Sequence, residues 1–257
     1  MRCFEFHHAI VREPGRSVVN GLRGGNAMPS YEMVLAEHSA YVGALRTAAL
    51  EVDVLPPLEA FPDSIFVEDP ALVFPEGAIL LRPGAPSRLA EREHMRSALG
   101  RHFGRVLELG DGEFVDGGDV MVTPEAVFIG LSKRTGRMGA ASLRAKLAEF
   151  GRRARLVDTP TAALHLKTSA ALLDEDTIIA TKPMTDSGIF AGFRVLNTPQ
   201  DEEAAANLLR LNDVVLVGDC YPRTADLLAR EGFRVKTLPV SEVAKLDAGL
   251  SCMSLRW

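Results

Sequence analysis

The sequence predicts an α/β fold in which five similar units of strand, strand, helix and strand close into a ring around a central channel. A polar pair, an apolar strand, a short turn and a second apolar strand recur in this order at 66–88 and 116–134. The interval from Asp69 to Asp119 is 50 residues and that from Asp119 to His165 is 46, and a near-constant period is typical of radial or linear arrays. Other α/β proteins also alternate hairpins and helices, but the return of polar residues to the same point of each unit favours the ring.

The first two complete units carry the clearest version of this pattern. Each has two apolar strands joined by a turn that contains Pro-Glu, then a loop with an arginine, and then a helix. The loop ends at Arg88 in the first unit and contains Arg134 in the second, where the helix runs to about Phe150. The predicted strands of these units are 70–74, 78–81, 120–122 and 126–129.

The other units are a third copy that opens at His165, a half-copy, and a split unit formed by both ends of the chain. The predicted strands of the third copy and the half-copy are 169–173, 177–180, 214–217 and 233–236. The split unit combines a strand at 9–12, a helix over about 30–49 and a strand at 51–55 with a strand at Cys252 that closes the ring. In a closed ring the polar residue that opens each unit faces the common axis, so residues far apart in the sequence converge there.

Composition sets bounds on the size, partners and location of the protein. The chain has 257 residues, of which 47% are hydrophobic, and we expect residues 1–257 to form a single domain. A formal net charge of −5 argues against nucleic acid or an anionic membrane as a partner. Residues 1–8 carry charge and histidine where a signal peptide needs an apolar run, and three cysteines do not make a disulfide framework. The prediction is a reduced, soluble, cytoplasmic protein, with the number of subunits left open and a homodimer among the alternatives.

Cys252 is the best candidate for a nucleophile because it lies in a polar turn that leads into an apolar strand. A single cysteine is more often a small buried hydrophobe, so this thiol is useful only if a base and a carboxylate meet it. Cys3 lies near the chain end, and Cys220 lies in a loop with no obvious base in its unit. His165, between two leucines, and Asp116, before two glycines, are the candidate base and carboxylate, although each also suits a structural role.

Charged residues near the first strands suit a planar cation. Glu68 and Asp69 are adjacent, and both can serve one ligand only if the strand bends, which Pro70 favours. A guanidinium group is bound by carboxylates that lie in the plane of the group. Arg88 and Arg134 together can clamp a carboxylate. Acidic groups deep in the channel and arginines at its mouth would describe a pocket for an α-amino acid with a cationic tail. Surface ion pairing is the ordinary alternative for these arginines.

No sequence pattern indicates a metal or an organic cofactor. The chain lacks HExxH and CxxC, and no GxGxxG follows a predicted strand. Gly24 and Gly25 fit a flexible loop that can serve as a lid. We therefore expect neither a metal site nor a cofactor.

The motifs taken together resemble those of the dimethylarginine dimethylaminohydrolases, within the wider guanidino-group-modifying superfamily of arginine deiminases and amidinotransferases. The resemblance implies a five-bladed α/β-propeller of the pentein type, in agreement with the repeat. The segments that carry it most strongly are 61–70, 82–88, 116–120, 131–135, 164–167, 221–224 and 250–254.

The resemblance also implies a role for each candidate residue. Cys252 would be the nucleophile, His165 the general acid and base, and Asp116 the carboxylate that orients His165, where some members have glutamate. The other implied residues bind the guanidinium, the α-amino group and the α-carboxylate of the substrate. They are, in that order, Glu68 and Asp69, then Asp63 with the backbone carbonyls of Leu22 and Leu246, then Arg88 and Arg134. Deiminases usually carry an aspartate where this chain has Lys167, which favours the methylarginine branch, and Gly136 replaces a usual asparagine.

The expected reaction is hydrolysis of Nω-methylated L-arginine, a small-molecule substrate, to L-citrulline and a methylamine through a thiouronium on Cys252. The carboxylates around the sulfur should raise the pKa of Cys252 until the cationic substrate binds. An arginine deiminase or an amidinotransferase of the same superfamily stays an alternative. A propeller that only binds a partner is a further alternative, although it has no need of a cysteine, a histidine and an aspartate together.

Overall fold

A computed structural model describes residues 3–257, which form fifteen strands, five α-helices and several short 3₁₀ turns. The strands are β1 (His8–Arg12), β2 (Glu51–Leu55), β3 (Ala71–Phe74), β4 (Gly77–Leu80), β5 (Val106–Glu108), β6 (Val120–Val122), β7 (Val127–Leu131), β8 (Ala154–Asp158), β9 (Ala170–Leu172), β10 (Thr177–Ala180), β11 (Arg194–Asn197), β12 (Leu209–Leu211), β13 (Val214–Gly218), β14 (Val235–Leu238) and β15 (Leu255–Arg256). The α-helices are α1 (Tyr31–Thr47), α2 (Glu91–His102), α3 (Arg137–Glu149), α4 (Lys182–Asp186) and α5 (Pro222–Arg230).

The strands pair into five sheets of three, and every sheet repeats one pattern. The strand orders are β15-β1-β2, β3-β4-β5, β6-β7-β8, β9-β10-β11 and β12-β13-β14. The middle strand of each sheet is antiparallel to the first strand and parallel to the third. The predicted five-bladed pseudo-symmetric α/β-propeller is therefore confirmed, including the split blade in which the C-terminal strand β15 pairs with the N-terminal strand β1.

The middle strands are the buried layer of each blade. Every residue of β4, β10 and β13 is buried, as a strand covered on both faces requires, and this is why these segments read as continuous apolar runs. The first strands of the sheets instead line a cavity of about 760 Å³ on the axis of the ring. Within residues 3–257 we find no helix with the length and apolar character that a bilayer crossing requires.

Helix α1 holds the split blade together. Ser30 caps its first turn by accepting a hydrogen bond from the backbone N–H of Met33. Tyr41 and Leu45 are fully buried in the core beneath the helix. The hydroxyl of Tyr41 lies 2.5 Å from the hydroxyl of Ser254, so this helix is tied directly to the segment that follows Cys252.

Three details differ from the prediction. The half-copy is a complete blade, because Leu209–Leu211 pairs with β13 as an inner strand that the sequence pattern did not reveal. The third blade has only the five-residue helix Lys182–Asp186 between its middle strand β10 and its third strand β11. Cys252 lies in a 3₁₀ turn, Ser251–Met253, and the closing strand begins only at Leu255.

Candidate active site

The candidate residues converge because they occupy the same place in different blades. In three blades a short 3₁₀ turn stands just before the inner strand. Asp116 and His165 each immediately precede one of these turns, and Cys252 lies within the third. Glu68 and Asp69 take the equivalent place before β3. Because the inner strands surround one axis, these turns meet at one end of the channel.

His165 and Asp116 form a buried hydrogen-bonded pair. The Nε2 atom of His165 lies 2.9 Å from Oδ2 of Asp116, whose Oδ1 accepts a hydrogen bond of 2.6 Å from the backbone N–H of Gly84. Burial alone would lower the pKa of His165, but the hydrogen bond that His165 donates to Asp116 and the charges of Asp69 and Asp119 outweigh it and raise the pKa to about 9. The imidazole is therefore protonated at neutral pH and suited to donate a proton.

Gly118 permits the imidazole to lie against the backbone of the second blade. A Cβ atom at this position would stand 2.7 Å from Nδ1 of His165 and 3.1 Å from Oδ1 of Asp69. The backbone N–H of Gly118 donates a hydrogen bond of 3.0 Å to the same Asp69 oxygen. The absence of a side chain at Gly118 thus allows the histidine and a carboxylate to share one small space.

Asp69, Asp116 and His165 each offer one atom within 4.8 Å of the others, a spacing that also suits a metal ion. The sequence contains no metal motif that would have predicted this group. Its carboxylates already have cationic partners, since Arg88 pairs with Asp69 and His165 with Asp116. The positive charges of Arg88 and His165 therefore balance the negative charges of these two carboxylates.

Cys252 is a buried free thiol close to two carboxylates. Its backbone carbonyl accepts a hydrogen bond of 3.2 Å from the N–H of Glu68, which ties the cysteine turn to the acidic segment. Burial, followed by the charges of Glu68 and Asp69, raises the pKa of Cys252 to about 11. The side chain of Asn207 acts in the opposite direction by donating a hydrogen bond of 3.3 Å to the sulfur.

Glu68 and Asp69 are both buried and both already bound to cations. Glu68 Oε1 lies 2.6 Å from Nζ of Lys167, and Glu68 Oε2 accepts a hydrogen bond of 3.2 Å from the hydroxyl of Ser251. Asp69 forms an ion pair with Arg88. Burial favours the neutral carboxyl, but the charges of Arg88 and His165 hold the pKa of Asp69 below its usual range.

Arg88 lies deeper than the sequence suggests. It was expected at the mouth, but only 5% of its surface is exposed. It donates to Asp69, to both oxygens of Glu91 and to the backbone carbonyls of Asp63 and Phe66. The prediction that Arg88 lies at the mouth of the pocket is therefore wrong, because the buried carboxylates of Asp69 and Glu91 hold its guanidinium in the interior. Arg134 is half-buried, and its backbone packs on Gly84.

Asp63, Leu22 and Leu246 lie together. Asp63 Oδ1 accepts a hydrogen bond of 2.9 Å from the backbone N–H of Leu22. A Cβ atom on Gly21 would stand 3.0 Å both from that Asp63 oxygen and from a methyl carbon of Leu246. Next to Leu246, Asp247 accepts a hydrogen bond from the backbone N–H of Gly24, so the glycine loop is fastened to the segment that precedes Cys252.

Sequence reasoning did not single out several residues of this site. Asn207 and Ser251 contact the thiol or its neighbouring carboxylate, and Glu91 holds Arg88. Asp119, which the sequence marked as a position of the repeat but gave no role in the site, is fully buried and accepts hydrogen bonds from the backbone N–H of Leu166 and from Ser132. Asn207 could have been found from the repeat, because it opens the fourth blade two residues before β12, much as Asp69 opens the first before β3.

Comparison with known proteins agrees with this architecture. The family model described as arginine deiminase matches residues 48–215, and the chain belongs to this family. The chain is 39% identical to the N(G),N(G)-dimethylarginine dimethylaminohydrolase of Pseudomonas aeruginosa, over 98% of this chain and 100% of the relative. It is 33% identical to the Streptomyces coelicolor protein of the same name, over 96% of each chain.

Solved structures give the same result for the fold. The Pseudomonas aeruginosa enzyme, as a cysteine-to-serine mutant complexed with citrulline, superposes with a TM-score of 0.95 at 38% identity, over 99% of this chain and 100% of that one. The N-terminal domain of ArgZ, a cyanobacterial arginine dihydrolase, superposes with a TM-score of 0.86 over 97% of this chain and 96% of that one. At 18% identity the second comparison shows the propeller fold alone.

Proposed function

We propose that this protein hydrolyses Nω-methylated L-arginines to L-citrulline and a methylamine through a thiouronium intermediate on Cys252. The observation that carries the proposal is a buried thiol beside Glu68 and Asp69, within a site that also holds the His165–Asp116 pair. Anionic groups of this kind select a cation as the electrophile. The names of the two bacterial relatives and the citrulline bound to one of them support the same reaction.

The binding roles follow from charge and position. Glu68 and Asp69 would hold the guanidinium by charge-assisted hydrogen bonds. Asp63 and the backbone carbonyls of Leu22 and Leu246 would hold the α-amino group. Arg134 would bind the α-carboxylate. Arg88 would add one N–H group of its Nη1 atom, the nitrogen whose other N–H group binds Asp69. No cofactor or metal takes part in this scheme.

The protonation states of Cys252 and His165 suit a reaction with the following steps. With the pKa of Cys252 near 11 and that of His165 near 9, the resting site holds a thiol and an imidazolium. Binding of the cation favours the thiolate, and the thiol proton leaves to solvent. The sulfur then adds to the guanidinium carbon, and the C–N bond to the methylated nitrogen breaks as His165 protonates the departing amine. Neutral His165 next takes a proton from water, which attacks the thiouronium. The C–S bond then breaks as the remaining hydroxyl proton passes to the departing sulfur, which releases citrulline and restores the Cys252 thiol and the His165 imidazolium.

The ion pair between Lys167 and Glu68 favours methylated substrates over arginine. It occupies one oxygen of Glu68, so fewer acceptors remain for a guanidinium that carries all its N–H groups. A methylated nitrogen has fewer N–H groups to satisfy and loses less by this competition.

A citrulline assay tests the proposed function. The purified protein is given asymmetric dimethylarginine, monomethylarginine or arginine, and arginine with glycine as an acceptor. We expect citrulline from the methylated substrates at a kcat/KM at least about tenfold above that from arginine, and none from Cys252→Ser. Exposed Cys220→Ser is the matched control and should keep full activity. Faster turnover of arginine would indicate a deiminase, transfer to glycine an amidinotransferase, and no turnover of any substrate would overturn the proposal.

We also propose that residues 1–257 act as one catalytic domain on a small-molecule substrate in the cytoplasm. All three cysteines are free thiols, which suits a reducing compartment. The homodimer stays a prediction open to measurement of the molecular mass in solution.

A further inference from the structure

We propose that Asn207 is a catalytic residue whose side-chain amide donates a hydrogen bond to the Cys252 sulfur and stabilises the thiolate as it forms. The proposal rests on the proposed function, because it assigns Cys252 as the attacking group. Asn207 Nδ2 lies 3.3 Å from Cys252 Sγ, and both groups are buried. A buried N–H donor interacts strongly with a developing negative charge.

The orientation of the amide is determined by its second partner. The backbone N–H of Ser251 points at Oδ1 of Asn207 with an N–O distance of 3.4 Å, and a backbone N–H can only donate. The hydroxyl of Ser251 lies 2.9 Å from the same oxygen. Rotating the amide by 180° would set its NH₂ group against the Ser251 N–H. Oδ1 therefore faces Ser251, and the NH₂ group faces the sulfur.

Asn207 is also held rigidly before any substrate binds. It follows the 3₁₀ turn Glu203–Ala206 and precedes β12, so it belongs to a different blade from Cys252. Its backbone carbonyl accepts a hydrogen bond of 3.3 Å from the N–H of Leu250, and a Cβ atom on Gly249 would stand 2.6 Å from its side-chain carbon. The donor is thus positioned by packing, as preorganised stabilisation requires.

The surroundings of the sulfur explain why a neutral donor is useful there. Glu68 and Asp69 oppose the thiolate, and the cations of the site pair with these carboxylates instead: Lys167 and Arg256 with Glu68, and Arg88 with Asp69. Hydrogen bonds from Asn207 and the Gly249 backbone lower the pKa of Cys252 against burial and these charges. An amide does not titrate, so its effect persists at every pH. His165 has a separate task, since its proton goes to the departing amine.

The test compares the ionisation of Cys252 in three variants without using turnover. Asn207→Leu and Asn207→Ala remove the donor, while Asn207→Asp keeps the acceptor for Ser251 and sets a negative oxygen against the sulfur. The rate of iodoacetamide alkylation of the Cys252 peptide is followed by mass spectrometry from about pH 6 to about pH 10. We expect the rate below the thiol pKa to fall about tenfold in the leucine and alanine variants, and further in the aspartate variant.

Asn212→Asp is the matched control. Asn212 lies in the β12–β13 turn of the same blade, and its side chain bonds to the backbone of Phe6 and Ala48. Its loss should lower the melting temperature without changing the alkylation rate. The proposal also expects kcat to fall about tenfold in Asn207→Leu with KM changed less than about twofold.

Two results would overturn the proposal. One is an alkylation rate in the folded Asn207 variants equal to that of the wild type. The other is a loss that tracks the melting temperature across the three variants instead of following the order leucine or alanine, then aspartate. If the wild type makes no citrulline, the proposed function fails, yet the alkylation result still decides whether Asn207 stabilises the thiolate.

Discussion

The Nε2 atom of His165 lies 2.9 Å from Oδ2 of Asp116, and this pair joins the third blade of the propeller to the second in the interior of the protein. The Asp116 carboxylate holds the imidazole in one orientation and stabilises its protonated form. The two residues are 49 positions apart in the chain, close to the period of the repeat. Pseudo-symmetry thus brings a base and its carboxylate together across a blade boundary.

The protonated state of His165 predicts a pH-dependent stability. Its pKa is about 9 in the folded protein and 6.5 as the ordinary value, so the stabilisation is complete below about pH 6.5 and is lost as the pH rises through 9. Chemical denaturation from about pH 6 to about pH 9 should show the free energy of unfolding of the wild type falling by about 3 kcal/mol relative to His165→Gln. A constant difference between the two proteins would contradict a protonated histidine. Cys252 does not interfere, because its own contribution lies between pH 9 and about 11.

Gly118→Ala should disable the site without unfolding the protein. The new Cβ atom would stand 2.7 Å from His165 Nδ1, so the imidazole must move away from Asp116. We expect kcat in the citrulline assay to fall at least about 100-fold, because small displacements of a catalytic group cost this much. Gly100→Ala in helix α2 is the control, since its Cβ atom meets nothing within 4 Å, and it should keep full activity. Equal activity of the two variants would show that the close contact has no consequence.

The two arginines of the site should respond differently to mutation. Glu91→Gln removes the charge that pairs with buried Arg88, and we expect the free energy of unfolding to fall by about 3 kcal/mol in denaturant titrations. Arg134→Ala should instead raise KM at least about tenfold while the free energy of unfolding changes by less than about 1 kcal/mol. The reverse pattern, a stable Glu91→Gln and an unstable Arg134→Ala, would contradict the roles assigned here.

Lys167→Met should shift substrate preference toward arginine. It frees one oxygen of Glu68, while Arg256, whose nitrogen lies 3.6 Å from that oxygen, keeps a positive charge nearby. The ratio of kcat/KM for arginine to that for dimethylarginine should rise about tenfold, the effect of one regained hydrogen bond to a charged group. Lys182→Met, which removes an exposed lysine paired with Asp186, is the control and should leave the ratio unchanged. An unchanged ratio in Lys167→Met would remove the ion pair from the account of specificity.

The repeat made most of the fold predictable from the sequence. The middle strands β4 and β13 are buried along their whole length and therefore appear as apolar runs. Strand β12 was missed because only three residues, Leu209–Leu211, make it, and its pairing with β13 is a tertiary constraint without a local pattern. Without β12, the residue that opens the fourth blade, Asn207, had no place in the predicted site.

Charge networks were the part of the site that the sequence did not reveal. Arg88 resembled a surface residue because arginine usually is one, and its burial depends on Glu91 and Asp69 meeting it from two segments. Glu91, three residues further along the chain, is a signal that could have indicated the pair. Lys167 was noticed as a substitution, but its 2.6 Å contact with Glu68 spans 99 residues and has no local signature.

The state of Cys252 before and after a cation binds tests the central claim most directly. Thiolate absorbance in the ultraviolet and the rate of alkylation are measured with and without a positively charged arginine analogue that is not turned over, with neutral citrulline as the control and Cys252→Ser as the blank. We predict a protonated, slowly alkylated thiol in the free protein and thiolate formation only with the cation, because burial and then the charges of Glu68 and Asp69 raise the pKa of the sulfur. A free protein whose Cys252 is already ionised well below the ordinary pKa of cysteine would contradict the account.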